Sequence, residues 1–219
     1  MGRPEANDAG APSSNCAGVL RSTPPPHWLF GGSFNPAHEG HALLADMAVQ
    51  QLRLDELWWL VSPQNPLKSS KDMASLTDRF ESALKQAHAC QFAKRMRISN
   101  LENQFGLQHS VLTVKRIKRH CRKARLIWVM GADNLVHFHR WHRPDAIPRT
   151  MAMAVINRPG HVASALASRG AKRAGDRIPP ARLAARGYPA RHWSFLRGAM
   201  NPQSASAIRA ARKTQVKTS

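Results

Sequence analysis

Two histidines beside a glycine-rich segment are the residues of this chain best suited to chemistry. The string GGSFNPAHEGH runs from Gly31 to His41 and places His38 three positions before His41. In a helix, side chains three positions apart share a face. The free backbone N–H groups of a helix start also attract anions. Because no Cys or third His lies nearby in the sequence, the pair suits phosphate chemistry better than a zinc site.

The segments around this turn predict a strand before it and a helix after it, and this alternation continues along the chain. The predicted strands are His27 to Gly31, Glu56 to Val61, Arg95 to Ser99, Ala124 to Met130, Met151 to Asn157 and Trp193 to Leu196. The predicted helices are Glu39 to about Leu52, a helix capped by Ser75 that runs to about His88, and Val111 to Arg122. Residues 161 to 191 show no clear periodicity and predict an insertion or loop beside the site.

Strands that alternate with helices predict a parallel sheet with right-handed crossovers. The expected fold class is therefore α/β: a Rossmann-like, doubly wound parallel sheet in a three-layer α/β/α arrangement. Ligands of such sheets bind beyond the carboxyl ends of the strands. The turn at Gly31, the loop at Ser62 and Gly131 each follow a predicted strand directly. They are therefore expected to meet in a single site.

Length and composition fit one domain. The chain has 219 residues, 42% of them apolar, and includes six Trp. No apolar run approaches the roughly 20 residues that span a membrane. We expect residues 1–26 to be a disordered extension, or the product of a start codon assigned too far upstream, because they lack the apolar core of a signal peptide. The domain is expected over residues 27–213, followed by a basic tail at 214–219.

The cysteines and the charge bear on location and partners. Cys16, Cys90 and Cys121 form an odd, widely spaced set, which argues against disulfides and for a reducing cytoplasm. The net charge is +20, and from Arg158 onward thirteen Lys and Arg accompany one acidic residue, Asp176. These cations are dispersed among Ala, Pro and Gly and form no known RNA-binding motif, so we do not expect a nucleic-acid partner. Attraction of phosphate groups explains part of the surplus.

Five segments resemble, in order, the motifs of one family. GGSFNPAHEGH resembles the GxFxPxHxGH box of the nucleotidylyltransferase superfamily, which class I aminoacyl-tRNA synthetases share in looser form. The other segments are SPQNPLK (Ser62 to Lys68), GADN (Gly131 to Asn134) with Trp141, NRPG (Asn157 to Gly160) and SASAIR (Ser204 to Arg209). Together they resemble the bacterial nicotinate-nucleotide adenylyltransferases over most of the chain.

The resemblance implies a role for each matched residue. The catalytic residues would be His38, His41 and Arg209. ATP would contact Gly31, Gly32, Ser33, Phe34, His38, Gly40, His41, Gly131, Asp133, Ser204, Ser206, Ile208 and Arg209. The mononucleotide would contact Asn35, Asn65, Lys68, Ser110, Thr113, Asp133, Trp141 and Arg158. Within these sets, the histidines would hold ATP phosphates while the α-phosphate is attacked, and Trp141 would stack on the pyridine ring.

Two segments depart from the family pattern. The family commonly has Tyr-Thr before the helix that recognises the nicotinate carboxylate, and this chain has His109 and Ser110 there. Ser110 keeps a hydroxyl, but the aromatic Tyr ring is replaced by an imidazole. In the last motif Ala205 stands where the family has a second Ser, which removes one potential phosphate contact.

The resemblance implies transfer of AMP from ATP to nicotinate mononucleotide, which yields deamido-NAD and pyrophosphate. Mg²⁺ would arrive with ATP, because the chain has no carboxylate cluster for a dedicated metal cage. ATP and the mononucleotide are the expected partners, no membrane partner is expected, and the sequence leaves a homo-oligomer open. The alternatives are a relative acting on nicotinamide mononucleotide or pantetheine phosphate, or a basic RNA-binding protein that retains the fold.

Overall fold

The strands of the computed structural model form one parallel sheet. The structure describes residues 28–63, 73–122, 126–185, 190–198 and 205–210. Within these ranges the strands are β1 (Trp28–Gly32), β2 (Leu57–Val61), β3 (Met96–Ser99), β4 (Ile127–Gly131), β5 (Ala152–Ile156), β6 (Asp176–Arg177) and β7 (His192–Leu196). Their order in the sheet is β3-β2-β1-β4-β5-β7-β6, and every neighbouring pair is parallel. The predicted α/β class is confirmed.

Helices connect the strands on both sides of the sheet. They are α1 (Glu39–Leu52), α2 (Leu76–His88), α3 (Leu101–Gln104), α4 (Ser110–His120), α5 (Ala132–His137), α6 (Ala146–Thr150), α7 (Val162–Leu166), α8 (Arg169–Ala174), α9 (Pro180–Ala184) and α10 (residues 205–210). Short 3-10 turns cover Ala93–Arg95 and Phe138–Arg140. None of the helices in the described ranges is long and apolar enough to cross a membrane.

Two hydrophobic cores, one on each face of the sheet, produce the three-layer arrangement. Phe30 and Trp59 pack in the core shared with α1, α2 and α9. Leu29 and Trp128 pack in the opposite core, which α3 to α8 cover. β2 and β4 are buried along their whole length because helices cover both faces, which explains their unbroken apolar sequences.

The direction in which successive strands are added to the sheet changes between β1 and β4. β2 and β3 lie on one side of β1, whereas β4, β5, β7 and β6 extend on the other. Connections that leave β1 and β4 on opposite faces open a crevice at the carboxyl ends of these two strands. The segment after β1 and the residues after β4 therefore border one crevice.

The observed elements agree with most of the predicted ones. The predicted strands and helices are present with ends that differ by at most three residues, and Ser75 caps α2 by accepting a hydrogen bond from the Asp78 N–H. His38 is the N-cap of α1, whereas the sequence placed it in the first turn. His27, residues 124–125 and the predicted extension and tail lie outside the described residues.

The prediction of an insertion or loop over residues 161–191 was wrong. This region contains α7, α8, β6 and α9, and it joins β5 to β7. Ala174 packs in one core and Leu183 in the other. Helices of five or six residues are too short to display a 3.6-residue period, and both residues of β6 are exposed at the sheet edge. The sequence pattern was therefore too weak to reveal these elements.

Candidate functional site

The two histidines cap the N-terminus of α1 reciprocally. The Nδ1 atom of His38 accepts a hydrogen bond from the Gly40 N–H at 3.1 Å. Nδ1 of His41 accepts from the His38 N–H at 3.3 Å, and the two ring centroids lie 4.0 Å apart. This is a capping box made of imidazoles. Because each Nδ1 is an acceptor, the neutral rings carry their proton on Nε2 and can donate from that atom.

His38 is an uncharged, buried donor. Its side chain is 3% exposed, and its Nε2 atom has no hydrogen-bond partner in the described part of the chain. Burial, followed by the nearby Arg158 guanidinium, lowers the pKa of His38 to about 4, and Asp133 opposes the shift. A buried N–H without a partner costs about 1–3 kcal/mol. Such a donor beside a helix N-terminus is suited to an anionic ligand.

An ion pair links the ends of β4 and β5 beside His38. Arg158 Nη1 lies 3.0 Å from Asp133 Oδ2, and Asp133 Oδ1 is buried without a partner among the described residues. A Cβ atom on Gly131 would lie 2.6 Å from that Oδ1 atom. Only glycine therefore lets the carboxylate fold back over the end of β4. The GAD and RPG segments thus meet at the carboxyl ends of β4 and β5.

Gly31 and Gly32 are the last two residues of β1, not part of the turn. A Cβ on Gly31 would lie 2.5 Å from the Trp128 ring, and one on Gly32 would lie 3.0 Å from the Phe34 ring. The structure thus explains these glycines by the aromatic rings packed against them. Their predicted contact with ATP stays a prediction.

Phe34 turns its ring away from the crevice into the core. Its φ of 44° is unusual for a bulky residue. The ring is 2% exposed, stacks on Trp59 at 5.2 Å and meets His41 edge-on at 5.1 Å. Any contact of Phe34 with ATP would therefore involve its backbone, while the ring positions His41.

The C-terminal motif reaches the segment between β1 and α1. Arg209 Nη1 donates to the Asn35 carbonyl at 2.6 Å, and its Nη2 donates to the Ser206 hydroxyl at 3.3 Å. Asn35 is buried, and its side-chain oxygen accepts from the Ala74 N–H at 3.0 Å. Ile208 is half-buried on α10. Two motifs separated by 174 positions in the sequence are thus in direct contact.

The residues expected to recognise the base lie at the start of α4 and in the segment after α5. Ser110 is the first residue of α4 and His109 its N-cap. Half-buried Trp141 contacts Phe138 at 5.3 Å between ring centroids. The His109 ring stacks on His142 at 4.3 Å with 15° between the planes. Sequence analysis missed His142, because only the fold brings it to His109.

Thr113 is occupied within the protein. It is fully buried, and its hydroxyl donates to Glu102 Oε1 at 2.7 Å. Burial raises the pKa of Glu102, and hydrogen bonds from Thr113 and Ser62 oppose that shift. A direct contact of Thr113 with substrate would require the bond to Glu102 to open. Glu102 was also missed, because a single Glu followed by Asn103 and Gln104 gives no sequence signal of burial.

Arg79 was missed as well. It is 1% exposed, and its carbonyl partners include Ser33 and Ser62, at the ends of two neighbouring strands. The available signal was a cation in the first turn of a predicted helix, where the helix dipole disfavours it. The predicted site residues Asn65, Lys68 and Ser204 lie outside the described residues. Within the described ranges, no three His, Cys, Asp or Glu side chains are grouped to hold a metal ion.

A doubly wound parallel sheet with two reciprocally capped histidines at its switch point is the arrangement expected of an α/β nucleotidylyltransferase. The Cytidylyltransferase-like family model matches residues 29–211. The chain is 42% identical over 194 residues to a probable nicotinate-nucleotide adenylyltransferase of Brucella suis, covering 86% of this chain and 95% of that protein. It is 44% identical over 189 residues to the protein of that name from Erythrobacter litoralis, covering 84% and 83%. The chain therefore belongs to the nicotinate-nucleotide adenylyltransferases of the cytidylyltransferase-like family.

A solved structure supports the fold. The nicotinic acid mononucleotide adenylyltransferase of Plasmodium falciparum, complexed with NaAD, superposes with a TM-score of 0.60. The match covers 84% of this chain and 82% of that chain at 15% sequence identity. At this identity the likeness bears on the fold alone. The resemblance stated from the sequence motifs is confirmed by the curated relatives.

Proposed function

We propose that this protein transfers the adenylyl group of ATP to nicotinate mononucleotide, a step of NAD biosynthesis. A 5′-phosphate oxygen of the mononucleotide attacks the α-phosphorus of ATP, and the bond from that phosphorus to the bridging oxygen breaks. The products are deamido-NAD and pyrophosphate. The observation that carries the proposal is the buried Nε2 of His38, which has no hydrogen-bond partner among the described residues and lies beside His41 at the N-terminus of α1.

The protein contributes alignment and stabilisation of charge, which dominate phosphoryl-type transfer. His38 is neutral at physiological pH, since its pKa is lowered to about 4, and it therefore donates a hydrogen bond without adding charge. The helix dipole of α1 adds a partial positive charge at the same place. Both imidazoles are fixed by their Nδ1 bonds before substrate arrives, so no reorganisation is needed in the transition state.

Arg209 and Ser206 serve the leaving pyrophosphate in this proposal. The guanidinium already lies against the segment that leads to His38, through its bond to the Asn35 carbonyl. It can bind phosphate oxygens in a bidentate manner. Mg²⁺ carried in by ATP would neutralise part of the phosphate charge. The described residues suit a metal that arrives with its nucleotide, because Asp133, the carboxylate beside His38, is already paired with Arg158.

The mononucleotide is proposed to lie toward α4 and α5. Trp141 would stack on the pyridine ring, and the N-terminus of α4 at Ser110 would bind the carboxylate. Arg158 and Asp133 would contact the ribose phosphate portion. Asn65 and Lys68 keep their expected role over the substrates. Because Cys90 and Cys121 are free thiols, we place the reaction in a reducing cytoplasm.

The test measures pyrophosphate release with ATP and each of three acceptors in parallel: nicotinate mononucleotide, nicotinamide mononucleotide and pantetheine phosphate. We expect the highest kcat/KM with nicotinate mononucleotide, and deamido-NAD as the product by mass spectrometry. A higher kcat/KM with pantetheine phosphate would overturn the assignment of the acceptor. Absence of pyrophosphate release with all three would overturn the assignment of the reaction.

A further inference from the structure

A single buried guanidinium joins the ends of two neighbouring strands. Arg79 Nη1 donates to the Ser33 carbonyl at 2.9 Å and to the Ser62 carbonyl at 2.5 Å. Its Nη2 donates to the Pro63 carbonyl at 2.7 Å, and its Nε to the Ala74 carbonyl at 3.1 Å. Four of the five N–H groups of the side chain are thus bonded to backbone carbonyls.

The location of Arg79 is unfavourable for a cation in three respects. It lies in the first turn of α2, where the helix dipole repels positive charge. Burial leaves it 1% exposed and lowers its pKa. No carboxylate of the described residues lies within ion-pair distance of it. The four carbonyls replace the water that the guanidinium loses, and a neutral or apolar residue would avoid these costs altogether.

Three of the four carbonyls belong to the segments at the carboxyl ends of β1 and β2. Ser33 directly follows β1 in the segment that leads to His38, and Ser62 and Pro63 directly follow β2. The Ser62 N–H also donates to the Gly32 carbonyl at 3.0 Å, which continues the pairing of the two strands. Among the described residues, Arg79 adds a second link between the two segments through the Ser33, Ser62 and Pro63 carbonyls. The planar guanidinium of arginine holds its N–H donors in fixed directions and can bond several carbonyls at once. The lysine ammonium is a compact point charge on a flexible stem and cannot hold the same arrangement.

We propose that Arg79 is a positioning residue for adenylyl transfer, which fixes the segment after β1 relative to the segment after β2. This proposal rests on the proposed function. The segment after β1 leads to the histidines at the ATP phosphates, and the segment after β2 begins the loop assigned to the nucleotide substrates. Displacement of one segment relative to the other would misalign the attacking phosphate and the α-phosphorus. A misplacement of about 1 Å can lower a rate by about 100-fold.

The experiment compares Arg79→Lys and Arg79→Ala with the wild-type protein. We expect kcat at saturating ATP and nicotinate mononucleotide to fall at least tenfold in both variants, while each KM changes less than threefold. Arg95→Ala is the matched control, because exposed Arg95 also donates to a loop carbonyl, that of Leu54, before the start of β2. This control should keep at least half of the wild-type kcat. Circular dichroism and thermal melting establish which variants are folded.

Chemical rescue separates positioning from general stabilisation. Millimolar guanidinium chloride, far below denaturing concentrations, should raise the kcat of Arg79→Ala at least fivefold by occupying the vacated space. Equal concentrations of sodium chloride or urea should not. If Arg79→Ala does not fold, folded Arg79→Lys carries the test through its kcat. A kcat within twofold of wild type in a folded Arg79 variant would overturn the proposal, and so would failure of both variants to fold, since Arg79 would then be structural only.

The wild-type measurement keeps the two proposals distinguishable. Turnover of nicotinate mononucleotide by the wild-type protein tests the proposed function independently of any variant. If another acceptor is the better substrate, the ratio of variant to wild-type kcat is measured with that acceptor. If no acceptor reacts, titration calorimetry with ATP and nicotinate mononucleotide replaces turnover, and the proposal then requires at least tenfold weaker binding of the second ligand in Arg79→Lys than in wild type. Equal binding would overturn it.

Discussion

The two ends of the crevice are built differently. At the end proposed to bind the ATP phosphates, called the phosphate end here, His38 is buried, its ring is fixed by a backbone hydrogen bond, and the Phe34 ring packs against His41. At the base end, Trp141 is half-buried and His109 stacks on exposed His142. Fixed donors stabilise charge that develops during a reaction. Partly exposed rings adapt to a ligand and contribute to binding. If the proposed function holds, this difference favours chemistry at the first end and choice of substrate at the second.

The largest effect is expected at the phosphate end. His41→Ala should lower kcat by about 100-fold or more, because one preorganised donor is lost. It also removes the cap on the His38 N–H. His41→Gln separates these two losses, since Gln at this position of a capping box accepts the same backbone bond. We expect His41→Gln to melt near the wild-type temperature and yet remain as inactive as His41→Ala. Wild-type kcat in a folded His41→Gln protein would contradict the catalytic assignment.

The next largest change in kinetics is expected for Arg209, which lies at the edge of the phosphate end. Arg209→Ala should raise the KM for ATP by about 10- to 150-fold, since a charged hydrogen bond is worth about 1.5–3 kcal/mol. The KM for nicotinate mononucleotide should change less than threefold. Arg173→Ala is the matched control, because Arg173 is exposed and pairs with Asp145. Equal changes in both KM values would mean that Arg209 acts only by holding the Asn35 carbonyl.

The phosphate end could be predicted from the sequence further than the base end. His38, His41 and Gly40 lie in one short motif, so their grouping depends on local helix geometry alone. The apolar sequences of β2 and β4 likewise revealed a buried parallel sheet. Arg79 could not be recognised, because its partners are carbonyl groups, which every residue carries. The contact of His109 with His142 depends on how α4 packs near the residues after α5, which no local pattern encodes.

A third prediction sharpens the role of the base end. Nicotinate mononucleotide should be used with a kcat/KM at least tenfold above that of the amide, because the N-terminus of α4 favours a carboxylate over a neutral group. Equal use of acid and amide would show that the recognition segment lies elsewhere.

His142→Ala should reduce kcat/KM for the acid by about threefold while kcat at saturation stays near wild type, since loss of an aromatic-type stack costs about 0.5–1.5 kcal/mol.

The smallest effect is a pH dependence of stability that originates at His38. Its pKa in the folded protein is about 4, below the value of about 6.5 expected for the unfolded chain. Between these values the unfolded state binds one more proton than the folded state, so the free energy of unfolding falls as pH falls from about 6.5 toward 4. The slope is at most about 1.4 kcal/mol per pH unit.

Urea unfolding at pH 7, 6 and 5 measures this slope for the wild-type protein and for His38→Asn, which keeps an N-cap acceptor but does not titrate. The wild-type protein should lose more stability than His38→Asn over this range. Parallel losses in the two proteins would show that His38 is protonated as readily in the folded state as in the unfolded one, and that the phosphate end is less enclosed than its geometry indicates.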